Sequence, residues 1–238
     1  MNKVKVGCPL CGSNKIRYLY VNGSQLSKAQ HGVEIFPGMC DCGMVYLSPR
    51  WSKAQYVEYY SKSYDDIYRL ELKPDISVEG VKKNAEEILM RLRRNLSFEE
   101  SMNILDIGSA YGNALKYYKG KIPKATLYGI ESSIEGGRIL KDELGGTLIT
   151  DDFDDEQWVV DYESKFNLIT MRHVFEHLLN PNDALDKLKS VLKQDGIIYL
   201  SLPDMLHPRI KLRDYNEWSD YWFRVVHPYY YNKYTLAK

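Results

Sequence analysis

The sequence has no excess charge of either sign: 32 lysines and arginines balance 32 aspartates and glutamates. Nucleic-acid binding is dominated by neutralising phosphates, so this balance makes nucleic acid an unlikely main partner. The one basic run, Arg91–Arg94, falls on an expected helix and reads as a solvated face. No apolar run approaches the roughly 18–20 residues needed to cross a bilayer. The opening residues Met-Asn-Lys-Val-Lys-Val-Gly-Cys also lack the apolar stretch of a secretory signal. The expectation is a soluble, cytoplasmic protein with no membrane span. Cysteine is missing from everything after Cys42, which leaves any thiol chemistry to the first part of the chain.

What is present begins with those cysteines. Cys8, Cys11, Cys40 and Cys42 form two close pairs separated by 28 residues. Four thiolates in two pairs are what a tetrahedral structural zinc site requires. Gly12 and Gly43 each follow a pair, where a residue without Cβ can turn its N–H toward a thiolate. The second pair has one intervening residue rather than two, which tightens the turn without excluding four-coordination. Two disulfides or free thiols are the competing reading, disfavoured in a cytoplasmic chain. No histidine or acid supports a catalytic metal with an open position at these cysteines, so the expected zinc is structural.

Length and pattern divide the rest. At 238 residues the chain can bury an α/β core with a small appendage. Residues 1–50 read as a zinc ribbon, 51–100 as a helical linker or flap, and 101–238 as the core. In the linker, Ser52 to Tyr68 carries Tyr56, Tyr59, Tyr60 and Tyr64 near helical spacing, either as a packing face or as a flap over a site. Pro74 and Gly80 mark a break before a charged amphipathic helix, Val81 to Leu96. From Asn103 onward strand and helix alternate, which predicts an α/β, Rossmann-like parallel sheet with helices on both faces. Strands are expected at Ile104–Ile107, Thr126–Glu131, Thr147–Thr150, Phe166–Met171 and Gly196–Ser201, with helices opening at Asn113 and spanning Asn182 to Lys193.

The most informative stretch is Ile104-Leu105-Asp106-Ile107-Gly108-Ser109-Ala110-Tyr111-Gly112. A buried strand runs into a small-residue turn and then a helix, so the backbone can approach a ligand and helix N–H groups can face it. The dinucleotide fingerprint Gly-x-Gly-x-x-Gly is absent, because the glycines fall only at 108 and 112. A nicotinamide enzyme is thereby disfavoured. Glu131 ends the second strand 23 residues past Gly108, the distance at which an acid accepts hydrogen bonds from a ribose diol in open α/β sheets. An ordinary surface glutamate is the alternative.

After the fourth strand comes Arg172-His173-Val174-Phe175-Glu176-His177-Leu178. His-x-x-Glu-His is also the inverted zinc-protease motif, which needs a long helix. Pro181 arrives four residues after His177, so the helix is too short and the protease reading fails. Leu202-Pro203-Asp204 leaves the fifth strand, and an aromatic tail follows: Trp218–Phe223, then His227-Pro228-Tyr229-Tyr230-Tyr231. Aromatic faces suit sugar rings and apolar cores equally.

The strand–turn–helix resembles the Asp/Glu-x-Gly-x-Gly-x-Gly loop of class I S-adenosylmethionine-dependent methyltransferases. Asp106, Gly108 and Gly112 match, and Ala110 departs at the middle glycine. His-Val-x-Glu-His-Leu before Asn-Pro is similar to the segment after strand four in many bacterial members. With the cysteine ribbon and aromatic tail, the chain looks like the zinc-ribbon methyltransferases of surface-polysaccharide and sugar gene clusters. The resemblance implies S-adenosylmethionine as cofactor, held by Asp106, Gly108, Ser109, Gly112, Glu131, Ser132 and Arg172, with Asp152 and Phe153 at the adenine. Asp151 fits that last place nearly as well.

The same resemblance implies a small-molecule acceptor, a nucleotide-linked or polysaccharide sugar, and a role in polysaccharide biosynthesis. His173 is the expected base, since an imidazole ordinarily titrates near about pH 6.5, and a structural histidine is its alternative. His227 is the reserve. Members of the class close their sheet with an antiparallel hairpin, which is missing before Leu236-Ala237-Lys238. The expectation is either truncation or a homo-oligomer that completes the sheet edge. An RNA methyltransferase and a non-catalytic cofactor-binding relative remain open alternatives.

Overall fold

A computed structural model of the chain describes residues 3–19, 34–62, 78–93, 101–206 and 223–238. The contacts divide it into two units. One comprises Met1–Glu58, His173–Asn182 and Leu202–Lys238; the other comprises Tyr59–Arg172 and Asp183–Ser201. The sequence suggests boundaries at residues 50 and 100, whereas these units are interleaved along the chain.

The second unit is built on a five-stranded parallel sheet. Its strands are β4 (Asn103–Ile107), β5 (Thr126–Ile130), β6 (Thr147–Thr150), β7 (Phe166–Arg172) and β8 (Leu192–Ser201), in the order β6-β5-β4-β7-β8. The strands are apolar along their length because both faces are covered. Alternation still sorts them: Ile104, Leu127 and Leu168 are in register on one face, and Leu105, Tyr128 and Ile169 on the other. The first face packs against Ala85, Ile88, Leu89 and Leu92 of α2 (Val78–Leu92) and Ala114, Leu115 and Tyr118 of α3 (Asn113–Lys121). On the opposite face Tyr128, Tyr162 and Phe166 meet with ring centroids 5.3–5.8 Å apart. The expected Rossmann-like parallel sheet is therefore present.

Three local readings shift. Gly80 lies inside α2 rather than in a linker, and the part of that helix expected as far as Leu96 lies outside the described residues beyond 93. Helix α6 (Pro181–Val191) stops two residues before the expected Lys193. Strand β8 begins at Leu192 because Leu192 pairs with Phe166; the register then jumps so that Ile197 faces Leu168. Gly196 permits the jump, since a Cβ there would lie 2.8 Å from the Phe166 carbonyl oxygen. The remaining helices of this unit are α4 (Ile134–Asp142) and α5 (Gln157–Asp161). Among the described residues, β6 and β8 are the sheet's edges.

The first unit holds a four-stranded antiparallel sheet of very short strands: β1 (Arg17–Tyr18), β2 (Pro37–Met39), β3 (Val45–Leu47) and β9 (Tyr229–Tyr230), in that order. Strand β9 comes from the aromatic tail, and Tyr230 pairs with Val45. Val4 bridges to Arg50, and Tyr56 on α1 (Lys53–Lys62) donates from its hydroxyl to the Val225 carbonyl at 2.9 Å. The final helix, α7 (Lys233–Leu236), is capped by Asn232 and Thr235, whose side chains and backbones bond reciprocally. The tyrosine-rich stretch from Tyr64 to Tyr68, Pro74 and the tail residues Trp218–Trp222 lie outside the described residues. No helix among the described residues is long and apolar enough to cross a membrane.

Candidate active site

The glycine loop follows β4 as expected. Gly108 and Gly112 have φ of 70° and 66°, a backbone region where a Cβ is costly. The Gly108 N–H donates to the Ile130 carbonyl at 2.8 Å, and Gly112 N–H to the Ser109 carbonyl at 2.8 Å. Gly112 also has no room, because a Cβ would sit 2.6 Å from Leu144 Cδ1. Ala110, the departure from the glycine pattern, holds the left-handed conformation too, with φ of 46°. The added methyl therefore strains the backbone rather than simply tightening the loop.

That strain is held by Glu131, which follows β5. Its Oε2 accepts from the Ala110 N–H at 2.6 Å and its Oε1 from the Ser133 N–H at 2.8 Å. Ser133 in turn caps α4, accepting from the Gly136 N–H at 3.2 Å. Gly136 lets the helix close on the loop, since a Cβ would lie 2.5 Å from the Ala110 carbonyl oxygen and 2.8 Å from Glu131 Cγ.

Glu131 lines a cavity of about 360 Å³ together with Ser132, Ser133, Gly137, Leu148 and Asp151. That volume lies within the range of small-molecule sites, roughly 300–1,000 Å³. Asp151 is in the wall; Asp152 and Phe153 are not among the lining residues. Asp152 instead turns its carboxylate back to accept from the Asp154 N–H at 2.9 Å. Phe153 packs on Trp158, ring centroids 5.6 Å apart, and beneath the Lys187 ammonium at 5.8 Å. The contribution of α4 to this wall was not anticipated; the Ser133 cap and paired Gly136-Gly137 were its available signals.

Asp106 is buried at the strand end, 1 % exposed. Its Oδ1 accepts from the Thr170 hydroxyl at 2.6 Å, and Arg172 Nη2 lies 3.7 Å from Oδ2. Burial pushes the Asp106 carboxyl pKa up, and Arg172 and Thr170 partly offset it. Thr170 has no signal in the sequence beyond its register opposite Asp106 on β7. Asp106 Oδ2 and Ser109 Oγ are buried without hydrogen-bond partners among the described residues.

Arg172 ends β7, and the next residue, His173, opens the chain segment assigned to the first unit. His173 is a non-glycine residue at φ 54°, with a side chain 69 % exposed and Nδ1 3.5 Å from Glu176 Oε1. Such strain persists where surrounding structure over-determines it, and it clusters at functional sites. The segment continues as a single 3₁₀ turn, Phe175–His177, too short for the zinc-protease helix. His177 Nδ1 lies 2.7 Å from the Val226 carbonyl oxygen, and burial pushes its pKa down. His227 packs edge-on against His177, ring centroids 4.7 Å apart.

In the same unit the four cysteines converge, with all sulfurs within 4.8 Å of one another. Cys8 and Cys42 sulfurs are 3.4 Å apart and Cys11 and Cys40 sulfurs 3.5 Å; none is in a disulfide. Gly12 and Gly43 take φ of 70° and 91°, but their N–H groups donate to the Cys8 and Cys40 carbonyls at 2.9 Å. The N–H groups facing the Cys8 sulfur belong to Leu10 and Cys11. Burial pushes the Cys8 thiol up to about 12, so a thiolate there needs a cation. Four convergent sulfurs with backbone N–H support fit a tetrahedral zinc ion.

A methyltransferase domain family matches residues 81–238, which is 158 of the 238 residues. The chain belongs to this methyltransferase family. Similarity to individual proteins is more distant. A ubiquinone biosynthesis O-methyltransferase from Glaesserella parasuis serovar 5 (strain SH0165) is 35% identical over 54 residues, 23% of this chain. The match spans only 22% of that relative's length. A SAM dependent methyltransferase from Archaeoglobus fulgidus is 16% identical, with a TM-score of 0.47 over 64% of this chain and 65% of that one. A methyltransferase from Haloferax volcanii in complex with the Trm112 activator is 19% identical, with a TM-score of 0.47 over 59% of each chain.

In the methyltransferase domain, the residues at hand fit the cofactor that the family implies. The Glu131 cavity offers acceptor oxygens for a ribose, and Asp106 Oδ2 and Ser109 Oγ are unsatisfied groups at the loop.

Proposed function

We propose that this methyltransferase domain uses S-adenosylmethionine as methyl donor and acts on a small polar acceptor, a nucleotide-linked or polysaccharide sugar. The observation that carries the donor assignment is Glu131. Its carboxylate ties the glycine loop to α4 and also borders the cavity. When bound, the cofactor supplies a sulfonium whose methyl group is already activated for in-line displacement. Glu131 would hold the ribose hydroxyls, and Asp151 and Leu148, which line the same cavity, would border the base. Gly108 leaves the backbone open to the amino-acid end, where Asp106 Oδ2 and Ser109 Oγ would lie without hydrogen-bond partners of their own among the described residues.

The chain's own contribution is mainly alignment, which can supply roughly 7–11 kcal/mol of barrier lowering. His173 takes the proton from the acceptor, a role typically worth about 10²–10⁴-fold. Its strained backbone and exposed ring support that assignment. The sugar rests on the resemblance of the His-Val-x-Glu-His segment and aromatic tail, and on the absence of net charge. The distant O-methyltransferase match favours oxygen as the accepting atom. The cysteine cluster holds structural zinc.

Calorimetry with S-adenosylhomocysteine tests the donor site. Wild-type protein should bind in the micromolar range, and Gly108→Arg should abolish binding by filling the loop. Equal affinity in that variant would sink the site. A panel of nucleotide sugars and RNAs with labelled cofactor tests the acceptor; methylation of RNA alone would replace the sugar reading. His173→Ala should keep cofactor affinity and lose turnover by about 10²-fold or more.

A further inference from the structure

We infer that Glu176, His177 and His227 form a second metal site, distinct from the cysteines, for a borderline divalent cation such as Zn²⁺, Fe²⁺ or Co²⁺. One ligand atom from each residue lies within 4.8 Å of the other two. All three belong to the first unit, Glu176 and His177 on the 3₁₀ turn and His227 in the segment leading into β9.

The strongest observation is Glu176 itself. It is 2 % exposed, and neither carboxylate oxygen accepts a hydrogen bond from any described residue. A buried carboxylate without donors is costly unless a proton or a cation neutralises it. The neighbouring histidines supply the rest of a coordination set. A carbonyl oxygen can only accept, so the 2.7 Å contact makes His177 Nδ1 a donor to Val226. This orients the ring and leaves Nε2 as the ligand atom, the arrangement found around metal-bound histidines. The residue giving that carbonyl precedes His227, so one dipeptide provides both a ligand and its neighbour's anchor.

Two imidazoles and a carboxylate favour a borderline transition ion over magnesium, which prefers oxygen ligands. Three protein ligands leave at least one open position for water or another oxygen. The competing explanation is that His173, 3.5 Å from Glu176 Oε1, compensates the charge when protonated. The two explanations differ in metal content.

The test is titration of the full-length, chelator-stripped protein with Co²⁺, followed by visible absorption. The cysteine cluster should give a strong thiolate-to-cobalt charge-transfer band. This site should add a second equivalent with weak ligand-field bands and no charge transfer. Glu176→Gln and His227→Asn should each weaken the second equivalent by at least about 10-fold, while the charge-transfer band reports that the unit still folds. A single wild-type equivalent that carries the charge-transfer band, or weak bands untouched by both variants, overturns the site. Weak bands lost in both variants, with no charge-transfer band at all, would support this site and remove the metal from the cysteines instead.

Discussion

The parallel-sheet unit and the cysteine-bearing unit hold together by opposite means. Strands β4, β5 and β7 are five to seven residues long and pack fully buried side chains on both faces. Strands β1, β2, β3 and β9 are two or three residues long. Ordering each residue costs about 1–2 kcal/mol, which such short ladders do not offset alone. The difference teaches where to look for the stability: apolar burial sustains one unit, and a metal at the convergent cysteines is expected to sustain the other.

The sharpest way to break that comparison is to remove the metal. Chelation or Cys40→Ser should cost the cysteine-bearing unit on the order of 10 kcal/mol, the scale of zinc binding to small zinc domains. Hydrogen exchange should then show Val45–Leu47 amides unprotected while β4 and β5 amides stay slow. Equal protection with and without metal would erase the distinction. A smaller effect tests the other side. Leu115, 0 % exposed in the core cluster, should lose about 2–5 kcal/mol on substitution by alanine. Chemical denaturation should show that loss in the sheet transition, with the cysteine-bearing unit unchanged. A loss below 1 kcal/mol would mean that burial is not what sustains the sheet. The smallest effect is a gain: Ala110→Gly should stabilise the sheet unit by about 0.5–1 kcal/mol through relief of its left-handed strain. A drop in melting temperature would contradict that account of the loop.

The sheet was legible because its signals are local. Ile104–Ile107 and Thr126–Ile130 are apolar runs closed by turns, and the spacing from Gly108 to Glu131 follows from one strand–helix–strand unit. The cysteine pairs were legible because ligand spacing is written in the chain. Other features depend on partners far away in sequence. Tyr229–Tyr230 is too short to show strand periodicity, and only its pairing with β3 makes it a strand. Asp151 and Asp152 are adjacent and chemically identical; a local turn decides which one borders the cavity. The expected domain boundaries assumed continuous segments, and nothing in the residues around His173 announces a change of unit.

The pairing of β3 with β9 carries a consequence for biosynthesis. Strand β3 waits for β9, since Val45 meets Tyr230, and the Lys238 ammonium donates to the Cys42 carbonyl at 2.7 Å. Until the ribosome has released the residues of β9, β3 presents an open hydrogen-bonding edge to the cell. The nascent protein is therefore most vulnerable to strand-mediated misassembly between the synthesis of β8 and that of β9, when its parallel sheet can already be formed.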